Sequence, residues 1–208
     1  MILSHAHRFI FIKTAKTAGT SIEIALSKFL GPEDILTPTS SKDDADRRIS
    51  GGRLPQNYRR TRAQYSPLDF PRLLLQGVPK ARFHKHMGAT EIRSVISEEA
   101  WNSYFKFCVE RNPWERAISL YYWRKKAGLQ ETLGEFIASG ALMDLRSKGW
   151  DLYTIDGKIA VDRILRFEDL KSELEQVRQR LGLPGPFDLP RAKGNTRTDH
   201  RHYTEVLT

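Results

Sequence analysis

Cysteine is all but missing from this chain: of 208 residues one is Cys, Cys108. A disulfide framework is thereby excluded, and in the apolar run FKFCV the thiol reads as a small buried hydrophobe in a reducing compartment rather than a reactive group. No apolar run approaches the ~20 residues that span a bilayer. The first residues, MILSHAHRFIFIK, have neither the charged start nor the cleavage site of a signal peptide. These absences predict a soluble, cytoplasmic protein. Internal repeats, low-complexity tracts and ligand clusters with metal spacing are also lacking, so no metal is expected. Positive charge, by contrast, is plentiful: 34 Lys plus Arg stand against 25 Asp plus Glu, a formal net charge of +9. That balance points to an anionic partner, whether nucleic acid, nucleotide or acidic polymer, without choosing among them. The length fits one domain, residues 1–208, and such a chain buries roughly 70% of its unfolded surface, enough for a core without staples.

Residues 8–13, RFIFIK, form a short continuous apolar run, the pattern of a strand buried on both faces of a parallel sheet. The loop TAKTAGTS follows, and then Ile22, Ala25, Leu26, Phe29 and Leu30 fall on one helix face before Gly31-Pro32 stops it. A second unit repeats the order: YFKFCVER (104–111) reads as a strand, Asn112-Pro113 as a turn, and WERAISLYYWRKKAG as an amphipathic helix closed by Gly128. ARFHKHM (81–87) reads as a further strand before the helical stretch TEIRSVISEEAWNSY. Asp156-Gly157 suggests a small hairpin, and DRILRFEDL (162–170) a strand leading into a helix with Leu170, Leu174, Val177 and Leu181 in helical spacing. The predicted fold is α/β: three layers, P-loop-like, with a central, mainly parallel sheet flanked by helices and strands near 8–13, 81–87, 104–110 and 162–168. Residues 37–67 have few aliphatics, many charges and a Gly-Gly pair, and read as an irregular, mobile insertion or a lid.

A buried strand that enters a Gly-containing turn and then a helix gathers unpaired backbone N–H groups at the positive helix end, a ready phosphate site. Lys16 adds a charge, and Thr17, Thr20 and Ser21 add hydroxyls; plain helix capping is the alternative reading. The nucleoside-triphosphatase pattern G-x-x-x-x-G-K-[ST] is not matched, because Lys16 precedes Gly19 by three positions and no Lys follows. A cation at the loop's entrance suits a bridging phosphate oxygen and argues against a kinase or ATPase. In the second unit Arg111 stands at the predicted end of a strand, where it can grip a second phosphate, and Ser119 follows eight residues on. A surface salt bridge is the plain alternative for Arg111.

Taken together, IKTAKTAGTSIEIAL and, ~90 residues later, VERNPWERAISLYYW resemble the sulfotransferases, in particular the carbohydrate type related to heparan and chondroitin O-sulfotransferases and their bacterial relatives. The resemblance implies a loop over residues 15–21 that binds the 5′-phosphosulfate of 3′-phosphoadenosine 5′-phosphosulfate (PAPS), through Lys16, Thr17, Ala18, Gly19, Thr20 and Ser21. The family's Pro is Ala15 here. It implies also that Arg111 and Ser119 hold the 3′-phosphate. RFEDL (166–170) looks like the family's segment after the core, and the GNTRT stretch, with Asn195, Thr196 and the preceding Lys193, resembles its late loop over the nucleotide.

Sulfuryl transfer is an in-line displacement, so positioning, charge stabilisation and removal of the acceptor proton are what a protein supplies. Lys16 is the candidate for stabilising the leaving oxygen, with the desulfated nucleotide (PAP) as product. His84 and His86 flank Lys85 on one face if 81–87 is a strand. The family's uronyl 2-O-sulfotransferases carry a similar H-x-H segment, which makes His86, or His84, the candidate general base; two structural histidines are the alternative. The expected acceptor is a saccharide or small molecule, with no specific nucleic acid partner. Two other readings stay open: a nucleotide-dependent transferase or kinase, and a basic nucleic-acid-binding module using RRISGGRLPQNYRRTRAQY.

Overall fold

The computed structural model describes residues 1–65, 67, 71, 74–75, 81–185, 187–190, 197–199 and 201–206. Strands β1 (Ile2–Ser4), β2 (Phe9–Phe11), β3 (Ile35–Leu36), β4 (Phe105–Glu110) and β7 (Arg163–Arg166) form one sheet, in the order β3-β1-β2-β4-β7; β5 (Thr154–Ile155) and β6 (Lys158–Ile159) make a separate hairpin around Asp156-Gly157. Among the described residues the helices with defined bounds are α1 (Gly19–Ser27), α2 (Ser41–Ile49), α3 (Ala89–Val95), α4 (Glu98–Ser103), α5 (Pro113–Lys126), α6 (Leu133–Ala138), α7 (Met143–Ser147), α8 (Trp150–Tyr153), α9 (Leu170–Arg180) and α10 (Tyr203–Val206). Among the described residues no helix is long and apolar enough to cross a membrane.

Strand periodicity builds the layers. Phe9, Phe11, Phe107, Val109 and Leu165 pack with Ile22 and Leu26 of α1 and Leu174 and Val177 of α9. Leu3, Ile10, Ile12 and Cys108 face the other way, onto Ile92 of α3, Trp101 of α4 and Leu152 and Tyr153 of α8. Both faces of β2 and β4 are therefore covered, which is why their sequences are continuously apolar. Cys108 is fully buried on β4, a strand with a hydrogen-bonded neighbour on each side, and burial pushes its thiol well above the usual range.

The sheet is mixed, which corrects the mainly parallel expectation. β2 with β4 and β4 with β7 are parallel, whereas β1 pairs antiparallel with both β2 and β3. Only the residues at positions 5–8 join β1 to β2, too few for the crossover that parallel neighbours require. Asp34 fixes this turn by accepting from the backbone N–H groups of His5 (2.6 Å) and Ala6 (3.1 Å) and from the Ser4 hydroxyl (2.8 Å).

Residues 81–87 do not form the expected strand. A single bridge pairs Arg59 with Ala81, after which Arg82 and Phe83 both donate backbone N–H groups to Tyr58 O, and Met87 N donates to His84 O in a turn. Phe83 and Met87, four apart, are the buried apolar anchors. Two such anchors at that spacing do not supply a period of two. The helical stretch that follows is broken at Ser97, whose hydroxyl caps α4 by accepting from Ala100 N.

Within 37–67 the expected irregularity fails over Ser41–Ile49. This helix is capped by Ser40, packs on α1, and is attached by a fully buried Arg47 instead of an apolar stripe.

Candidate functional site

β2 and β4 are parallel neighbours, so the chain leaving each of them emerges at one edge of the sheet, where ligand crevices form in α/β proteins. The loop from β2 is held down residue by residue. Thr14 Oγ1 donates to Val109 O of β4 (2.5 Å), Thr17 Oγ1 lies 2.8 Å from Thr14 Oγ1 and donates to Thr14 O (3.2 Å), and Ala15 N donates to Lys148 O (2.8 Å). Lys16 and Ala18 both adopt left-handed backbone, at φ 65° and 58°. That conformation costs a non-glycine residue of order 1 kcal/mol and marks imposed local geometry. Ala18 occupies the N-cap of α1 with no side-chain cap, so the first-turn N–H groups have no intrahelical acceptor.

Beneath the loop is an ionic cluster that the sequence did not announce. Glu23, fully buried in α1, accepts from Lys13 Nζ (2.5 Å), Arg47 Nη2 (3.1 Å) and the Met1 amine (2.6 Å). Burial alone would raise the Glu23 pKa, but the three cations hold it down to about 2. Lys13 Nζ also donates to Thr20 Oγ1 (3.3 Å), and its stem crosses Gly19 so closely that a Cβ there would lie 2.7 Å from Lys13 Cγ. Gly19 is thus required by a neighbouring side chain. The cue available in the sequence was a carboxylate set inside the apolar stretch TSIEIAL.

At the end of β4, Arg111 is partly buried. Its guanidinium stacks on Phe167 at 4.3 Å from the ring centroid, its Nη2 donates to Glu115 Oε2 (3.1 Å), and its Nε is buried with no hydrogen-bond partner. Arg197 Nη1 donates to the same Glu115 oxygen (2.5 Å). Asn112 caps α5 by accepting from Trp114 N and Glu115 N. Two turns along that helix, Ser119 is half-buried, between Arg116 and Trp123 on one face by i, i+3, i+7 spacing. Arg116 Nε donates to Ala15 O (2.8 Å), its Nη1 pairs with Glu110 (2.9 Å), and its Nη2 donates to Lys148 O (2.9 Å). Lys16 Nζ sits 5.6 Å from the centroid of the Trp123 ring, which is 48% exposed. Arg116 is therefore a site residue that motif reading passed over, and the half-exposed Trp123 stands beside the loop's lysine.

His86 and His84 part company. His86 Nδ1 lies 2.9 Å from Lys13 O, beside the start of the loop, and since a carbonyl only accepts, Nδ1 carries the proton and Nε2 is left with its lone pair. Burial, followed by the nearby Lys13 charge, lowers its pKa to about 4. His84 is exposed, with Nε2 3.4 Å from Glu91. The shared face assumed for the pair does not exist, because 81–87 turns. Lys193, Asn195 and Thr196 lie outside the described residues. The structure thus sets the 16–21 loop and Arg111 at the ends of neighbouring strands, places His86 beside the start of that loop and Ser119 on the α5 face that carries Arg116, and leaves His84 at the surface. A separate groove, lined by His5, Ile35, Arg82, Phe83, Ser94 and Ser97, opens beside the β1–β2 turn, at the other end of β2.

No family model matches the chain, and no solved structure matches it. Over 126 residues, which are 58% of this chain and the whole of the relative, it is 31% identical to an uncharacterized protein of Archaeoglobus fulgidus. That kinship brings no activity with it, since the relative's own is uncharacterized. The chain belongs to the same family as this archaeal protein.

Proposed function

We propose that the protein is a sulfotransferase of P-loop-like fold, which moves a sulfuryl group from PAPS to an acceptor hydroxyl of a saccharide or small molecule by in-line displacement. One observation carries this reading: a lysine-bearing loop forced into left-handed backbone at an uncapped helix start stands beside an arginine at the end of the adjacent parallel strand. Two separated anion sites on neighbouring strand ends suit a nucleotide with phosphate at both 5′ and 3′ positions. Arg111 fits the 3′ group because its buried Nε is a donor without a partner.

PAPS supplies the activated sulfuryl group; the chain's residues do the rest. The N–H groups of 16–21 face the 5′-phosphosulfate, and Lys16 stabilises the bridging oxygen as charge develops there. Thr17 contributes through its backbone, because its hydroxyl proton is taken up by Thr14, whose own hydroxyl proton goes to Val109 O. Thr20 accepts from Lys13, which leaves its own proton for a ligand oxygen. Arg111 and Ser119 bind the 3′-phosphate. His86, neutral at physiological pH and locked as the Nδ1–H tautomer by Lys13 O, receives the acceptor proton on Nε2.

Calorimetric titration with PAP, against ATP and 5′-AMP, tests the reading. Micromolar binding that needs the 3′-phosphate and is lost in Arg111→Ala is the expected result. Equal binding of ATP, or no binding of any nucleotide, overturns it.

A further inference from the structure

Glu115 Oε2 is shared by two guanidinium groups that come from positions 86 residues apart. Arg111 reaches it with Nη2 at 3.1 Å and Arg197 with Nη1 at 2.5 Å. The three side chains are 15%, 15% and 18% exposed, so the cluster is only weakly screened. One carboxylate oxygen is a poor match for two planar forks. It engages one nitrogen of each, and Arg111 Nε keeps no partner although it is buried. A phosphate monoester offers three terminal oxygens and up to two negative charges, enough to meet both forks at once.

The surroundings fix the arginines and leave the carboxylate replaceable. Phe167 holds the Arg111 plane from one side. Arg197 is anchored in its own segment through the carbonyl oxygens of Asp199 and Arg201, and α10, which follows, packs on α5. Glu115 stands in the first turn of α5, where Asn112 already satisfies its backbone N–H (3.3 Å). That turn therefore keeps its cap when the carboxylate swings away. The other acidic group near Arg111 is Glu168, whose carboxylate accepts from Asn112 N (2.7 Å) and partly offsets the positive charge.

We propose that Glu115 is a built-in substitute for a ligand phosphate, holding Arg111 and Arg197 together until a phosphate monoester displaces it and takes Arg197 as its second cation. This rests on the sulfotransferase reading for the ligand, the 3′-phosphate of PAPS or PAP. Nucleotide entry and the position of the segment from Arg197 onward are then coupled, because one oxygen holds both.

Three variants titrated with PAP and with 5′-AMP test it. Glu115→Gln keeps the shape and removes the competing charge, so PAP should bind roughly three- to tenfold more tightly with 5′-AMP unchanged. Arg197→Ala should weaken PAP roughly tenfold and spare 5′-AMP, with Arg197→Lys recovering part of the loss. Thermal unfolding of each variant checks that it is folded, and the Lys variant keeps the test open if the Ala variant is not. Unchanged or weaker PAP binding in Glu115→Gln, or equal losses for both nucleotides in Arg197→Ala and Arg197→Lys, overturns the proposal. If the wild type binds PAP with 3′-phosphate selectivity, such a result removes this inference and leaves the sulfotransferase reading standing. If neither the wild type nor Glu115→Gln binds PAP, both fall.

Discussion

At the scale of single residues, charge and hydrogen-bond direction assign distinct roles to groups that look equivalent in the chain. Lys16→Ala should lower turnover about 10²- to 10³-fold, the usual loss when a preorganised charge at the reacting oxygen is removed, while PAP affinity falls far less. Single-turnover kinetics beside calorimetry separates the two, and wild-type turnover in the variant removes Lys16 from the leaving-group role. His86→Gln should abolish transfer and retain PAP binding. Because burial holds His86 near 4, the acid limb of the wild-type pH–rate profile belongs near that value, and a limb near 6.5 speaks against His86 as base. Lys16 and Arg111 were legible because the loop and the strand end are set by local pattern. His84 was misplaced because its facing depended on a strand that residues 81–87 do not form. Arg116 was passed over because it acts on a loop about a hundred residues away, and spacing within one helix says nothing of that contact.

Among elements, the two strand-turn-helix units were readable because each announces itself locally: apolar runs at Phe9–Phe11 and Phe105–Glu110, Pro113 and Asn112 at the start of α5, Gly31 and Gly128 beyond the helix ends. β1 was not readable, being three residues long and placed by Asp34. α2 was hidden for a different reason. Its attachment to α1 is ionic, through Arg47 and Glu23, and a charged helix without an apolar stripe reads as loop. The same burial of Arg47 takes the first residue of RRISGGRLPQNYRRTRAQY out of any nucleic-acid surface. Glu23→Gln should therefore be costly: with the carboxylate gone, Lys13, Arg47 and the Met1 amine face one another in the interior, and a loss of about 3–5 kcal/mol is expected from urea unfolding. A shift of less than about 1 kcal/mol would mean that the cluster relaxes into solvent. Gly19→Ala acts on the same unit from above, since its Cβ meets Lys13 Cγ; overpacking of about 1–3 kcal/mol, with weakened PAP binding, is the expected outcome.

For the molecule as a whole, His86 and Glu23 give stability the same sign of pH dependence. His86 is lowered from 6.5 to about 4 and Glu23 from 4.5 to about 2. In each case the unfolded chain binds a proton before the folded one does, so stability rises with pH through each window. Acidification should weaken the fold first between about 8 and 6, where burial lowers the Met1 amine from 8.0 to about 6, then between about 6.5 and 4, and last between about 4.5 and 2. In His86→Gln the step between about 6.5 and 4 flattens while the other two remain, and urea midpoints across this range read all three. Cys108 offers a different use of the architecture. It is the chain's one thiol and is fully buried on the face of β4 that packs with Ile92, Trp101 and Leu152, where a water-borne alkylating agent reaches it only when that helical layer lifts from the sheet. Labelling under native conditions therefore works as a clock for opening of the core, and a cysteine introduced at the surface can carry a dye against a silent background.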